Sequence, residues 1–467
     1  MSTHPWIPNS SHETVKKMLE IIGISSVEQL FKDIPPEARI SQEKWMSLEI
    51  GKGRMLSELE AKRIIEEKLS KNKIFNPPPY MGGGVYPHYV PPLVKYILSR
   101  GEFLTAYTPY QAEISQGLMQ AIFEYQSLMA ELLQMEVVNA SMYDWASAIA
   151  EALLMSVRVK KGRRKVVVPY NVNPFHFKVI ETYLWPHGVR IERVGYDREK
   201  GSINIEDLKS KVDSETAGVY LQYPNFFGVI ENAKTVGEIV REKGALYITG
   251  VYPVSLGLLK APGEVGADIA VGDGQPFGLG LNYGGPYLGI FAVRYDQNLI
   301  RQMPGRIIGL TTTQEGGQRA FAMILQAREQ HIKREKATSN ICTNEALAAI
   351  GVAVYLSLLG KTGLRKLAEL NYYRAHYAAS RFSEIGLNRV FSGEFFNEFA
   401  VSLNGFGKTY REVHKKLLDR GVHGGLYIGH LYPELGEASL WAFTELHFKT
   451  DIDKLVDLLK EILTGGG

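Results

Sequence analysis

The spacing of apolar and polar residues predicts helices at the start of the chain. Residues 1 to about 75 are polar, with apolar side chains at helical spacing. A glycine marks the predicted end of the first helix. Ser-x-x-Gln and Ser-x-x-Glu spacings mark the predicted starts of the next two. These signals are Gly23 after segment 13–22, Ser26 and Gln29 at segment 26–31, and Ser57 and Glu60 before a helix to about Leu69. Proline and glycine runs then break the pattern, which predicts a helical N-terminal extension over residues 1–80.

Between about residues 95 and 335, short β-branched runs alternate with helical segments. This alternation predicts an α/β domain with a mostly parallel sheet, which we assign to residues 81–335. The predicted strands are 165–168, 189–194, 218–222, 245–248, 269–271 and 288–293, and the predicted helices are 115–135, 142–160, 231–243 and 315–334.

The remaining residues, 336–467, predict connecting helices followed by a small α+β C-terminal domain. A helical region over about 339–386 comes first. The order after it is strand 396–403, helix 410–419 with Thr409 and Glu412 in capping-box spacing, strand 439–447 and helix 452–463.

Composition excludes several functional classes. The 467 residues are 45% hydrophobic and 22% charged, and 53 basic against 50 acidic side chains give a net charge of +3. We therefore expect no nucleic-acid partner and no membrane span. Cys342 is the only cysteine, which excludes an internal disulfide and favours a reducing, cytoplasmic location. The eleven histidines lack partners at metal-ligand spacing, so we predict no metal site.

The glycine-rich segment 268–289 is similar to the lysine loop of pyridoxal-phosphate enzymes with a doubly wound sheet. A short strand ends at Asp273, and Gln275 stands where such enzymes have the lysine that forms the Schiff base. An amide cannot form that bond, because its nitrogen lone pair is delocalised. Thr249 stands where a carboxylate normally holds the pyridine nitrogen, and Trp145 lies at the helix start that would hold the phosphate. These three positions predict that the chain does not bind the cofactor covalently.

Segment 101–144 carries a long motif that begins Gly-Glu-Phe-Leu-Thr-Ala-Tyr-Thr-Pro-Tyr-Gln. It resembles the P-protein of the glycine cleavage system, the decarboxylating glycine dehydrogenase, and in particular subunit 1 (α) of its two-subunit form. The resemblance continues through segments 34–39, 85–92, 272–276 and 328–343, nearly the whole chain. Trp145 departs from the family pattern, which has glycine there.

This resemblance implies a fold-type-I pyridoxal-phosphate-transferase-like large domain. It also implies an oxidoreductase of glycine catabolism that acts only with subunit 2 (β), the subunit that binds pyridoxal phosphate. Together they would decarboxylate glycine and pass the aminomethyl group to the lipoyl arm of H-protein. The implied assembly is an α2β2 heterotetramer.

In this fold one subunit lends side chains to the active site of its neighbour. The predicted lent residues near the catalytic centre are Tyr107, Thr108, Tyr110 and Gln111, and those predicted to bind the partner's cofactor in trans are Arg334, Thr338, Ser339 and Asn340. The alternative is structural: a helix N-cap at 338–340 and a buried aromatic loop at 107–111.

Two other readings of the whole chain stay open. One is a scaffold or regulatory subunit that lends no residues. The other is a pyridoxal enzyme that acts alone, which Gln275 and Thr249 oppose. The apolar helix 114–135 further predicts an obligate interface with the partner. Its apolar positions are Ile114, Leu118, Ile122, Met129, Leu132 and Leu133.

Overall fold

The computed structural model describes residues 4, 6–50, 54–342 and 344–465. The described residues divide into two compact units, Met1–Lys73 and Ile74–Gly467. The boundaries predicted at residues 80 and 335 stay predictions.

The N-terminal unit is helical, as predicted. Gly23 ends the first helix with φ +81°, and the capping box between Ser57 and Glu60 is present at the start of the third. None of the described side chains between residues 4 and 73 is buried. This unit therefore has no hydrophobic core within its described part. Its helices are α1 (His12–Ile22), α2 (Gln42–Met46) and α3 (Glu58–Leu69).

The capping box predicted at Ser26 is wrong. The Oε1 atom of Gln29 accepts a hydrogen bond from the backbone N–H of Ser25 at 2.9 Å, one residue before the predicted partner. The Ser26 side chain makes no capping bond, and Val27–Phe31 forms a short 3-10 helix.

A seven-stranded sheet forms the centre of the second unit and confirms the predicted α/β class. Its order across the sheet is β1 (Val137–Val138), β7 (Gly289–Val293), β6 (Ile269–Asp273), β5 (Leu246–Val251), β4 (Thr216–Tyr223), β2 (Lys165–Pro169) and β3 (Arg190–Val194). β7 pairs antiparallel with β1 and with β6, and all the other pairs are parallel, so the sheet is mostly parallel. Strands β2, β4, β5 and β6 are buried along their whole length, whereas β3, at the edge of the sheet, is mostly half-buried or exposed.

Helices connect most of the strands and pack against the sheet. One of them, Trp145–Val159, is buried at every residue from Trp145 to Ser156, because alanine, leucine and isoleucine occupy all of its faces. The helices are α4 (Pro92–Leu98), α5 (Gly101–Leu104), α6 (Gln116–Leu133), α7 (Trp145–Val159), α8 (Pro174–Leu184), α9 (Ile205–Lys211), α10 (Ala233–Glu242), α11 (Gln297–Gln302) and α12 (Gln330–Lys333).

Helix α6 does not present the apolar face that was predicted for a partner. Ile122, Met129 and Leu133 are buried within the chain itself. Ile114 is 81% exposed, but it lies two residues before the helix begins. The apolar stripe of α6 therefore belongs to the chain's own core, and this basis for an obligate interface is wrong.

The helix predicted over 315–334 is also wrong. A hairpin of β8 (Ile307–Thr312) and β9 (Arg319–Ile324) occupies its first half, and only the short α12 follows. Gly316 and Gly317 have φ of +81° and +62°, which supply the left-handed turn that joins the two strands. Consecutive glycines between alternating apolar residues are the signal that favours a hairpin over a helix.

The long predicted helical region is α13 (Ala346–Glu384), which begins later than predicted. Gly360 interrupts it with φ +57° and ψ −175°. By length and composition alone α13 could cross a membrane, but half of its most apolar window is buried inside the protein. A core helix of a soluble protein can have the same length and composition, so α13 is weak evidence of a membrane span.

The C-terminal part forms the small α+β layer that was predicted. The capping box between Thr409 and Glu412 is present. The last predicted strand ends earlier, because the chain turns where the backbone N–H of Thr444 donates to Nδ1 of His447 at 3.0 Å. The layer contains the sheet β10 (Glu398–Ser402), β12 (Ala438–Ala442) and β11 (Leu426–Tyr427), with α14 (Tyr410–Asp419) and α15 (Lys449–Thr464).

Candidate functional site

A cavity of about 380 Å³ lies where the carboxyl end of β6 meets the amino end of α7. Asp273 is the last residue of β6, and Trp145 is the first residue of α7. The carboxylate of Asp144 caps α7 by accepting from the backbone N–H of Ser147 at 2.7 Å. Ligands of open α/β sheets bind at such strand ends, and their anionic groups bind at helix amino termini. This cavity is therefore the counterpart of a cofactor pocket.

Gln275 follows β6 by two residues and is only 1% exposed. Its Nε2 donates to the carbonyl oxygens of Tyr86 at 3.2 Å and Gly280 at 3.0 Å. The amide thus joins two loops of the chain. Thr249 is fully buried in the middle of the sheet, between Leu221 and Ala270 on the neighbouring strands. Neither side chain supplies the amine or the carboxylate that the cofactor requires.

Asp273 places a carboxylate at the amino end of α7. Its two oxygens accept backbone N–H bonds from Trp145 at 3.2 Å, Gln275 at 2.9 Å and Leu288 at 3.3 Å. Burial raises the pKa of Asp273 to about 7, although these three bonds act in the opposite direction. The chain's own carboxyl therefore takes a helix N–H group that could otherwise bind a phosphate.

The rest of the cavity is equally unsuited to an anion. Asp144 and Glu345 also line it, and none of its described lining residues is lysine or arginine. Burial lowers the pKa of His176 to about 4, so this histidine is neutral at pH 7. Its ring lies 5.2 Å from the ring of Trp145 between centroids. The residues present do not fit pyridoxal phosphate.

The predicted loop 107–111 lies at a second cavity, of about 200 Å³. Tyr107 and Thr108 line it together with Arg306. The guanidinium of Arg306 donates to Oγ1 of Thr108 at 2.5 Å and to the hydroxyl of Tyr110 at 3.0 Å. Gln111 is exposed. Three of the four predicted residues therefore lie at or beside this cavity.

The other four predicted residues share a third cavity, of about 270 Å³. It is lined by Arg334, Thr338, Ser339 and Asn340, and also by Glu151 and Arg158. The structure thus places seven of the eight predicted residues at or beside two cavities, and Gln111 lines neither of them.

Both structural alternatives for these segments are wrong. Helix α13 begins at Ala346, so residues 338–340 do not cap it. Tyr107 and Tyr110 are 68% and 48% exposed, so the aromatic loop is not buried. Exposed aromatic side chains beside a cavity are typical of binding surfaces.

Three residues of these sites were missed by the sequence reasoning: Arg306, Glu329 and His176. The Nε of Arg306 donates to Oε2 of Glu329 at 3.2 Å, and both side chains are buried. The available signal was an arginine inside the otherwise apolar run Met303–Ile308, since a buried charge needs a partner. Among the described residues, no group of three or more His, Cys, Asp or Glu side chains could hold a metal ion.

The sheet order and the cavity at the ends of its strands define the fold of type-I pyridoxal-phosphate enzymes. A glutamate decarboxylase from Lactobacillus brevis has this fold with a TM-score of 0.70 at 14% identity, covering 94% of this chain and 96% of that one. Likeness at this identity concerns the fold alone.

The chain belongs to the family described as glycine cleavage system P-protein, whose sequence model matches residues 4–459. It is 64% identical over 465 residues to the probable glycine dehydrogenase (decarboxylating) subunit 1 of Staphylothermus marinus, covering 99% of each chain. It is 56% identical to the protein of the same description from Aeropyrum pernix, covering 99% of this chain and 100% of that one.

A crystal structure of the glycine decarboxylase P-protein in inhibitor-bound form matches with a TM-score of 0.86 and 38% identity, covering 99% of this chain and 100% of that one. The resemblance seen in the sequence motifs is therefore confirmed.

Proposed function

We propose that this chain is the subunit of the P-protein that does not carry pyridoxal phosphate. With subunit 2 (β), which binds the cofactor, it decarboxylates glycine and transfers the aminomethyl group to the lipoyl arm of H-protein. The proposal includes an α2β2 heterotetramer in the cytoplasm, active only as the complex.

The observation that carries this proposal is the acidic cavity beside Gln275. Gln275 has no amine to offer, and its Nε2 donates to two backbone carbonyls. Asp273 accepts the N–H of Trp145 at the start of α7. A phosphate brought there would face Asp144, Asp273 and Glu345 without a lysine or arginine among the described lining residues. Like charges in a buried site oppose binding, so the cofactor is better placed in the partner.

The exposed loop 107–111 supports a contribution to the partner's pocket. The hydroxyls of Thr108 and Tyr110 accept hydrogen bonds from Arg306. A hydroxyl that accepts in this way still has its own O–H to donate to another group. Hydrogen-bond donors that are preorganised in this way can stabilise charge that develops in a neighbouring active site.

The test compares the purified chain, purified subunit 2 and their mixture. Exchange of the glycine carboxyl group with labelled bicarbonate is measured in each, together with visible absorption after pyridoxal phosphate is added. We expect exchange only in the mixture, and cofactor absorption in subunit 2 but not in this chain. Exchange by this chain alone would contradict the proposal.

Variants in the assembled complex distinguish the proposed role from that of a scaffold subunit that lends no side chains. If the chain lends no residues, Thr108→Val and Tyr110→Phe will leave the exchange rate unchanged. If it lends these hydroxyls, the same variants will lower the rate while the complex still forms.

A further inference from the structure

Arg306 connects three segments that are distant in the sequence. It follows Gly305 at the start of the β8–β9 hairpin and is only 2% exposed. Its guanidinium contacts Glu329, the loop residues Thr108 and Tyr110, and the thiol of Cys342, whose Sγ lies 3.6 Å from Nη2. The backbone carbonyl of Arg306 also accepts from the N–H of Ala140 at 2.7 Å, which attaches it to the main sheet domain.

The donor geometry of Arg306 indicates what it can and cannot do. A guanidinium has five N–H donors, and these four contacts occupy four of them. At most one donor on Nη1 is left for a ligand, too few for a two-bond clamp on a carboxylate. Arg306 is therefore built to hold protein groups, although it lines the cavity of about 200 Å³.

Glu329 helps to fix the position of the Arg306 guanidinium. Glu329 is 3% exposed and its Oε2 accepts the Nε–H of Arg306, so a buried carboxylate outside the loop also holds the guanidinium. The ring of Tyr110 lies against His331, with centroids 5.7 Å apart, and faces the Arg306 cation at 5.1 Å. Three contacts thus hold the exposed side chain of Tyr110: a hydrogen bond from Arg306, a ring contact with His331 and a cation–π contact with Arg306.

We propose that Arg306, held by Glu329, is a positioning residue that orients the hydroxyls of Thr108 and Tyr110 toward the partner's active site. The inference rests on the proposed function, in which those hydroxyls act in trans. Arg306 acts through them and does not itself touch the substrate.

The experiment measures glycine–bicarbonate exchange by the assembled complex with Arg306→Lys, with Thr108→Val plus Tyr110→Phe, and with all three changes combined. Lysine keeps the charge but cannot bond both hydroxyls and Glu329 in one plane. We expect Arg306→Lys to lower kcat about 10-fold to 100-fold with KM for glycine within about twofold of the unchanged complex. If Arg306 acts through the two hydroxyls, their effects should not add. The kcat of the combined variant should then lie within about threefold of the kcat of the slower of the other two variants.

Arg328→Lys is the matched control. Arg328 is the neighbouring buried arginine, but its guanidinium donates to the carbonyl of Met303 and makes no hydrogen bond with the described residues of loop 107–111. The kcat of the complex with Arg328→Lys should therefore stay near that of the unchanged complex. If Arg306→Lys fails to assemble, Glu329→Gln takes its place, because it keeps the size of the side chain and removes the charge that holds the guanidinium. We then expect Glu329→Gln to lower kcat, and adding Thr108→Val and Tyr110→Phe to lower it no further.

The outcomes separate the two proposals. Unchanged kinetics in the Thr108 and Tyr110 variants would overturn the proposed lending of residues. Impaired kinetics in those variants, with wild-type kcat in Arg306→Lys or a multiplied loss in the combination, would overturn only the role of Arg306. An equal loss in Arg328→Lys would also overturn it, since a general effect on folding would then explain the result.

Discussion

The Oδ2 atom of Asp273 accepts the backbone N–H of Trp145 at 3.2 Å, so a carboxyl from the end of β6 lies at the amino end of α7. The amino end of a helix is a common site for anionic groups, and here the carboxyl group at that place belongs to the protein. The same carboxyl accepts the N–H of Gln275, which stands at the predicted lysine position. One buried acid thus connects the two places where a cofactor's phosphate and aldehyde would have to bind.

The first prediction is that Gln275→Lys will not convert this chain into a pyridoxal enzyme. The new amine would lie near Asp273, but Thr249 brings no charge to the ring nitrogen and the phosphate position stays acidic. We expect the purified variant and the unchanged chain to remain colourless after incubation with pyridoxal phosphate and gel filtration. A visible band removed by borohydride would contradict this expectation, and so would glycine–bicarbonate exchange by the variant without subunit 2.

The second prediction concerns the exposed loop hydroxyls. Thr108→Val and Tyr110→Phe each remove one oxygen while keeping the shape of the side chain. In the assembled complex each should reduce the exchange rate on the order of 10²-fold, the typical effect of losing one preorganised donor. Size-exclusion chromatography should show unchanged assembly. Tyr295→Phe, at a tyrosine that is also exposed but lines none of the cavities described here, is the control and should keep full activity.

The third prediction is a pH dependence that comes from Glu231. Burial raises the pKa of this carboxyl to about 7, although Asn171, Asn225 and the N–H of Ile203 donate to it. The folded state therefore holds its proton more tightly than the unfolded state, whose glutamate titrates near pH 4.3. The resulting stabilisation is complete below that pH and is lost as pH rises toward 7.

Relative to Glu231→Gln, the unchanged chain should lose on the order of 1–3 kcal/mol of unfolding free energy between pH 5 and 8. Urea unfolding at pH 5, 6, 7 and 8 measures the difference between the two proteins. The comparison is necessary because His176 and His447, whose pKa values burial lowers to about 4, act in the opposite direction. Glu238→Gln, at an exposed position of α10, should show no such trend. A constant difference between Glu231→Gln and the unchanged chain would rule out this linkage.

The parts of the fold that the sequence predicted well are those set by local pattern. β-branched runs gave the strands of the main sheet, and the serine and threonine caps at Ser57 and Thr409 marked helix starts correctly. The β8–β9 hairpin was not predicted, because the residues after its turn have helical spacing. The turn itself depends on two glycines with positive φ, Gly316 and Gly317. Local pattern also gave no reason for Ser26 to lose its capping bond.

The site was only partly predictable, since its contacts are not local. Arg306 meets Thr108 across 198 positions of the chain and Glu329 across 23. Neither spacing has a period that marks a helix face or a strand, so the arrangement emerges only after the chain has folded. The three substitutions in the cofactor pocket could be recognised because each replaces a group whose chemistry the cofactor requires.

The last prediction separates backbone strain from ligand binding at Arg334. This residue has φ +55° and ψ −124°, a conformation that glycine adopts readily and other residues avoid. It also lines the cavity of about 270 Å³ with Thr338, Ser339 and Asn340. If its guanidinium binds an anionic group of the partner's cofactor, then both Arg334→Gly and Arg334→Ala should raise the pyridoxal phosphate or glycine concentration needed for half-maximal exchange about 10-fold.

The two variants should differ in stability, because only glycine relieves the strain. We expect the unfolding free energy of Arg334→Gly to exceed that of Arg334→Ala by about 1 kcal/mol, measured by urea unfolding of the isolated chain. Lys333→Ala removes a neighbouring exposed cation and should leave half-saturation unchanged. Unchanged half-saturation in both Arg334 variants would exclude a role in binding, and equal stability of the two would show that the backbone at Arg334 is not strained.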